Sequence, residues 1–252
     1  MRKNLALAKW RAGEPTIGGW LSLANTHVAE LMAHAAFDWL CIDLQHGLID
    51  YGDLTHMLPA ISTTEVTPLV RVSGNDPKEI MKVLDAGAMG VIVPLVNSRQ
   101  EAETAVAACR YPPRGGRSFG PIRAALYAGA GYVEEANDEI ACIAMIETKL
   151  AVDNVESIVT TPGLSGVYIG PNDLALSIGL PPQGDSDDPR HRAAVESVLA
   201  CCKQHRLPVG IHTGGVEYTR RWLAAGFNFV TLGTDRGFMM KAAAAELAAA
   251  RA

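Results

Sequence analysis

Residues 67–96, TPLVRVSGNDPKEIMKVLDAGAMGVIVPLV, contain a complete strand–helix–strand unit. Thr67–Val72 and Gly90–Val96 are short apolar runs rich in branched residues and bounded by turn residues, the pattern of buried strands. Between them, Asp76-Pro77 places a capping side chain before a proline at the first helical position. Apolar residues at three- and four-residue spacing then predict a helix over Pro77–Asp85.

The same alternation extends in both directions. Further strands are predicted at Ile17–Leu23, Trp39–Leu44, Ala141–Glu147, Gly166–Gly170, Pro208–His212 and Asn228–Gly233. Helical patterns cover Ser98–Arg110, where Ser98 and Glu101 form a capping box, then Asp188–Arg206, Val216–Ala225 and the alanine-rich Phe238–Arg251. Eight strands alternating with helices predict an α/β protein, a single-domain (β/α)8 TIM barrel over residues 1–252. The competing open, doubly wound sheet lacks support, because no G-x-G-x-x-G follows the first strand. Tyr111–Glu139, rich in Gly, Pro and Arg, reads as a long irregular connection. The last helix is expected to pack on this barrel or on a neighbouring subunit.

Composition narrows the function classes. Apolar residues make up 48% and charged residues 19%, which fits a packed globular enzyme rather than a disordered chain. A net charge of −5 offers no basic surface for nucleic acid or an anionic membrane. The amino-terminal stretch MRKNLALAKWRAGEP lacks the apolar run of a signal peptide, and nothing approaches the ~18 apolar residues of a membrane span. A cytoplasmic location is expected. The five cysteines show no metal-ligand spacing, and Cys41 and Cys142 lie inside apolar strands as core thiols.

In a parallel barrel the carboxyl ends of the strands converge on one mouth, so ionisable residues there become neighbours. Glu147 and Asp173 are two such residues; together they suit a hard divalent cation, or else they cap the following helices or pair with lysine. His46, in DLQHG, is either a proton-transfer group oriented by Asp43 or a loop residue held by one hydrogen bond. Arg71 ends an apolar strand and must find an anion: Asp43, Glu147 or a substrate carboxylate. The Gly170–Leu174 turn opens a short helix whose N–H groups suit a carboxylate. His212, ending the seventh strand, is expected to shape the pocket, while His27, His34, His56, His191 and His205 are expected at the surface.

Taken together, IDLQHG, PLVRV, LDAGAMGVIVPLV, YPPRGGRSFGPIRAALY, AMIET and GVYIGPNDLALSIG resemble the HpcH/HpaI aldolases, from about Trp10 to the end of the chain. These are class II, metal-dependent pyruvate aldolases of the 4-hydroxy-2-oxoheptanedioate aldolase type. The resemblance implies reversible retro-aldol cleavage of 4-hydroxy-2-oxo acids to pyruvate and an aldehyde, using Mg²⁺, Mn²⁺ or Co²⁺. It makes His46 the base with Asp43 as its partner, and Arg71 the group that holds the 2-oxo acid. Glu147 and Asp173 become the metal ligands, and Asp173 and Leu174 supply N–H groups to the pyruvate carboxylate. Asp85 matches an aspartate near a neighbouring subunit's site, and the resemblance implies a homo-oligomer, a hexamer built as a dimer of trimers. No Schiff-base lysine is implied, since Lys149 is out of register with Glu147. The loop 114–123 is expected to close over an aldehyde, in its own site or a neighbour's.

Two positions depart from the family pattern. Many members carry glutamine where this chain has Met145, and often an apolar residue where it has His212. The first removes an amide from the substrate's surroundings, and the second favours a polar or hydroxylated aldehyde. Two other readings are a citrate lyase-like barrel acting on an acyl-CoA thioester, for which no clear basic cluster is present, and a catalytically silent assembly subunit.

Overall fold

The computed structural model describes residues 1–252. Its eight strands are β1 (Thr16–Leu21), β2 (Trp39–Asp43), β3 (Thr67–Arg71), β4 (Gly90–Val93), β5 (Ala141–Ile146), β6 (Gly166–Ile169), β7 (Val209–His212) and β8 (Phe229–Thr234). Each pairs in parallel with the next, and β8 pairs with β1 to close the barrel. Ahead of β1 lies α1 (Leu5–Arg11); α2 (Thr26–Ala33), α3 (Tyr51–Ile61), α4 (Pro77–Asp85) and α5 (Arg99–Cys109) follow the first four strands. Then come α6 (Ile122–Ala128), α7 (Tyr132–Glu139), α8 (Lys149–Asp153), α9 (Val155–Val159), α10 (Pro171–Ser177), α11 (Pro189–His205), α12 (Val216–Ala225) and α13 (Asp235–Ala250).

Strand parity divides the core and aims the chemistry. Trp39 and Cys41 on β2, Leu69 on β3, Ala141, Ile143 and Met145 on β5, Tyr168 on β6 and Phe229 on β8 fill the barrel interior. Their neighbours Leu40, Ile42, Val70, Cys142, Ala144 and Ile146 face the helices. Because side chains alternate along a strand, the next inward positions at the carboxyl ends are Asp43, Arg71 and Glu147. The interior is tight. A Cβ added to Gly18 would lie 2.2 Å from the Trp39 ring, and one added to Gly210 would lie 2.4 Å from Phe229. Only glycine leaves room there for the large interior rings.

Several expectations change, and α2, α3, α8 and α9 lie where no helix was predicted. α1 was not foreseen; its Ala6, Leu7 and Trp10 join the interior cluster, and Trp10 stacks on Phe229 at 4.3 Å. Tyr111–Glu139 is not irregular throughout, since it contains α6 and α7. β4 stops at Val93 rather than Val96, because Leu95 takes a left-handed φ of 54° that no strand accommodates. α13 begins at Asp235, capped by Thr234 Oγ1, three residues before the expected start. Its first turn is fixed to β1, whereas Met239, Met240 and Leu247 further along are exposed. No helix is long and apolar enough to cross a membrane.

Candidate active site

The carboxyl ends of the strands surround a cavity of about 320 Å³. His46, Asp43, Arg71, Glu147, Asp173 and His212 all line it. The residues expected to converge from five strands therefore do so.

Asp43 and Arg71 are register partners across β2 and β3. Arg71 donates through Nε to Asp43 Oδ1 at 2.8 Å and through Nη2 to Oδ2 at 2.6 Å. The guanidinium also lies 5.1 Å from the Trp20 ring centre, and Trp20 Nε1 donates to Asp43 Oδ2 at 3.1 Å. Burial pushes the Asp43 carboxyl upward, but the bonds and charge of Arg71 outweigh it and hold the group below the usual carboxylate range. Asp43 does not hold the His46 ring as expected. It accepts the backbone N–H groups of Gln45 (3.1 Å) and His46 (3.2 Å), so it fixes the loop and leaves the exposed imidazole free. The turn requires Gly47, where a Cβ would meet the Asp43 carbonyl at 2.2 Å.

Glu147 and Asp173 are not used as caps or lysine partners. Lys149 pairs with Asp153 at 2.5 Å, and Gly170, not Asp173, caps α10. Glu147 Oε1 instead accepts the Leu95 N–H at 2.7 Å, which the left-handed backbone of Leu95 presents. Burial pushes the Glu147 carboxyl up to about 7; the Leu95 N–H and Arg71 oppose this, and the nearby Asp173 charge adds to it. Two mutually repelling carboxylates on one cavity wall form an oxygen-donor pair suited to a hard divalent cation. No group of three His, Cys, Asp or Glu side chains is close enough to form a closed site, so water and substrate oxygens would complete the coordination. Gly170 keeps this wall open, because a Cβ there would lie 2.5 Å from Glu147 Oε2.

At the start of α10 one expected donor is already engaged. The Leu174 N–H bonds to the Gly170 carbonyl at 3.1 Å, and the Leu174 side chain is fully buried. The N–H groups with no partner inside the helix are those of Asn172 and Asp173, because proline occupies the first position. His191 is likewise not at the surface. It is buried, and its Nε2 lies 2.9 Å from the Pro171 carbonyl, bracing this turn. A leucine at 191 is expected to lower stability by about 1–3 kcal/mol, the range for an orphaned buried polar group. Urea unfolding would measure it, and an unchanged midpoint would remove the bracing role.

His212 is half-buried beneath the mouth, edge-on to Trp20 at 5.0 Å, with Nδ1 3.4 Å from the Tyr168 hydroxyl. Burial, then the Arg71 charge, push its pKa down to about 4, so it is a neutral wall residue at physiological pH. The Met145 thioether also lines the mouth, where it supplies no N–H donor. Asp85 does not line this mouth. It ends α4 and receives a 2.6 Å hydrogen bond from the buried Arg117, which lies 4.6 Å from the Tyr111 ring centre. The loop 114–123 is tied to this region as well, through Arg117 and through Arg123 to the Ala86 carbonyl at 2.8 Å. Helices return antiparallel to the strands, so the end of α4 lies at the opposite rim. Loop 114–123 accordingly does not cover its own chain's site.

Three contributors were not singled out from the sequence: Trp20, Leu95 and Arg236. Arg236 follows the end of β8 by two residues and lines the cavity. Its position just past a strand end was the signal that could have found it.

A closed parallel barrel with paired carboxylates, a clamped arginine and a free histidine in its mouth defines a lyase-type site for small oxo acids. The chain belongs to the HpcH/HpaI aldolase/citrate lyase family, which it matches over residues 16–242. It is 43% identical over 243 residues to a hydroxypyruvate/pyruvate aldolase of Rhizorhabdus wittichii, covering 96% of this chain and 97% of that one. It is 37% identical to a 2-dehydro-3,6-dideoxy-6-sulfogluconate aldolase of Pseudomonas putida, covering 90% and 89%. Among solved structures, an HpcH/HpaI aldolase/citrate lyase family protein from Burkholderia cenocepacia superposes with a TM-score of 0.94 at 35% identity, covering 99% of this chain and all of that one.

Proposed function

We propose that this protein is a class II pyruvate aldolase that reversibly cleaves 4-hydroxy-2-oxo acids to pyruvate and an aldehyde. The observation that carries this reading is the convergence of Glu147, Asp173, Arg71 and His46 on one cavity. The aldolase activities of the relatives at 43% and 37% identity support it.

Glu147 and Asp173 would hold the divalent cation, Mg²⁺, Mn²⁺ or Co²⁺. When bound, the cation acts as a Lewis acid on the keto oxygen. The Asn172 and Asp173 N–H groups at the start of α10 receive the substrate carboxylate. Arg71 uses Nε and Nη2 on Asp43, which leaves Nη1 to donate to the keto acid as negative charge develops. His46, with its ring free, takes the proton of the 4-hydroxyl. The C3–C4 bond then breaks, its electrons pass to the keto acid half, and the aldehyde departs. The enolate left behind takes the proton from the imidazolium at C3 to become pyruvate. In the synthetic direction the same imidazole removes a methyl proton from pyruvate. Lys149 forms no Schiff base; its ammonium is paired with Asp153 on an exposed helix.

The exposed Met239, Met240 and Leu247 on α13 support a homo-oligomeric assembly, and a hexamer is the form proposed. In such an assembly Asp85 and loop 114–123 would act at a neighbour's site. The proposed location is cytoplasmic, and the proposed setting is aromatic or sugar-acid catabolism.

Pyruvate release from 4-hydroxy-2-oxo acids should vanish after chelation and return with Mg²⁺, Mn²⁺ or Co²⁺. His46→Ala should reduce it by about 10²–10⁴-fold with the fold intact, the usual range for a general base. Full turnover after thorough chelation would remove Glu147 and Asp173 as metal ligands. Unchanged cleavage by His46→Ala would remove His46 as the base.

A further inference from the structure

Leu95 is strained, and its own side chain does not explain why. It adopts a left-handed φ of 54°, which disfavours an L side chain, yet that side chain is 52% exposed and gains little by packing. Such a conformation persists only where the surroundings fix it. Here two hydrogen bonds do so. The Leu95 N–H donates to Glu147 Oε1 at 2.7 Å, and the Leu95 carbonyl accepts Asn97 Nδ2 at 2.8 Å.

Asn97 is itself held from three directions. Its N–H donates to Glu101 Oε2 at 2.6 Å, its carbonyl accepts Asn154 Nδ2 at 2.8 Å, and its Oδ1 accepts the Thr148 hydroxyl. Thr148 Oγ1 in turn accepts the Ala151 N–H at 3.0 Å, so that hydroxyl both donates and accepts. The Asn97 amide cannot be turned round, because its oxygen would then face the Leu95 carbonyl. Thr148 follows Glu147 in the chain, and this closes a circuit. It runs from Glu147 to Thr148, to the Asn97 amide, to Leu95 and back to Glu147 Oε1. The two carboxylate oxygens are thereby divided. Oε1 is turned to Leu95, and Oε2 faces Gly170 at the start of α10, the helix that carries Asp173.

We propose that Asn97 is a positioning residue for the metal, which acts through the Leu95 turn to aim Glu147 Oε2 at an ion shared with Asp173. This rests on the metal role proposed above for Glu147. A carboxylate free to rotate would have to be ordered by the cation itself, which weakens binding. The test titrates Mn²⁺, followed by electron paramagnetic resonance, into the wild type, Asn97→Ala, Thr148→Val and the double variant. Each single substitution should weaken Mn²⁺ binding by about 10-fold, the lower end of the range for residues that support a metal ligand. Because both cut the same circuit, the double variant should also lose about 10-fold rather than the product of the two. Thr148→Ser keeps the hydroxyl and should bind Mn²⁺ as the wild type does.

A purely structural brace gives a different result. The urea midpoint of Asn97→Ala would fall while the folded protein kept wild-type Mn²⁺ affinity, and that outcome overturns the assignment. Effects that multiply in the double variant overturn it too, since the two side chains would then act separately. Thr148→Val against Thr148→Ser repeats the comparison with Asn97 in place. Failure of the wild-type protein to bind Mn²⁺ would sink the metal reading of Glu147 and Asp173 itself, and the assignment of Asn97 with it.

Discussion

Arg71→Leu is expected to lower kcat by about 10²-fold or more, because it removes a donor aimed at developing charge. It should also destabilise the fold at neutral pH by roughly 3–5 kcal/mol, the range for breaking a buried ion pair. The two side chains are only 11% and 5% exposed, so loss of the guanidinium strands the Asp43 carboxylate in a poorly hydrated site. The pH dependence separates this effect from simple loss of packing. In the wild type the Asp43 pKa lies below its ordinary value, so the pair's stabilisation is fully present above the unfolded value near 3.8 and fades as pH falls through the folded one. Without Arg71, burial raises the Asp43 pKa above the unfolded value, and the sign reverses. The variant should then regain stability relative to wild type as the pH drops towards 4. Urea unfolding of both proteins at pH 7 and pH 4 would measure this. The same stability difference at both values would exclude the ion pair as its source.

Glu147→Gln is expected to abolish metal binding, with a loss of affinity of at least 10²-fold and loss of metal-dependent turnover. The substitution keeps the shape of the side chain and removes its charge. Titration of Mn²⁺ followed by electron paramagnetic resonance reads binding independently of catalysis. The wild-type titration should depend on pH in a defined way. Burial keeps the Glu147 proton on up to about 7, so a cation must displace it below that pH. Affinity should fall as pH drops below about 7 and level off above it. Wild-type affinity in Glu147→Gln, or a flat profile between pH 5 and pH 8, would remove Glu147 from the ligand set.

Much of this site was legible in the sequence because a barrel turns strand ends into a site. Locating the ends of β2, β3, β5, β6 and β7 was enough to bring Asp43, Arg71, Glu147, Asp173 and His212 together. The strands themselves were legible from their apolar runs. What was not legible depended on contacts across the sequence. Asp43 lies three residues from His46, yet its oxygens go to Arg71, because register across β2 and β3 outweighs proximity along the chain. His191 resembles other polar residues of an amphipathic helix, and only the packing of α11 on α10 brings its ring to the Pro171 carbonyl. α1 was hidden because it is only seven residues long, too short for Ala6, Leu7 and Trp10 to show a helical period. They are buried as a plug inside the barrel rather than as a stripe on its outside. In Tyr111–Glu139, the Gly and Pro signals at the start masked two short helices further on.

The left-handed turn at Leu95 carries a final consequence. By delivering a peptide N–H to Glu147, it commits part of one of the two carboxylates that would grip the ion. A cation held by so little protein is chosen weakly by the site, since geometry and donor number are what discriminate among hard divalent ions. Which element occupies the enzyme would then follow from the supply inside the cell, and cultures grown on different trace metals should yield differently loaded protein with the same fold.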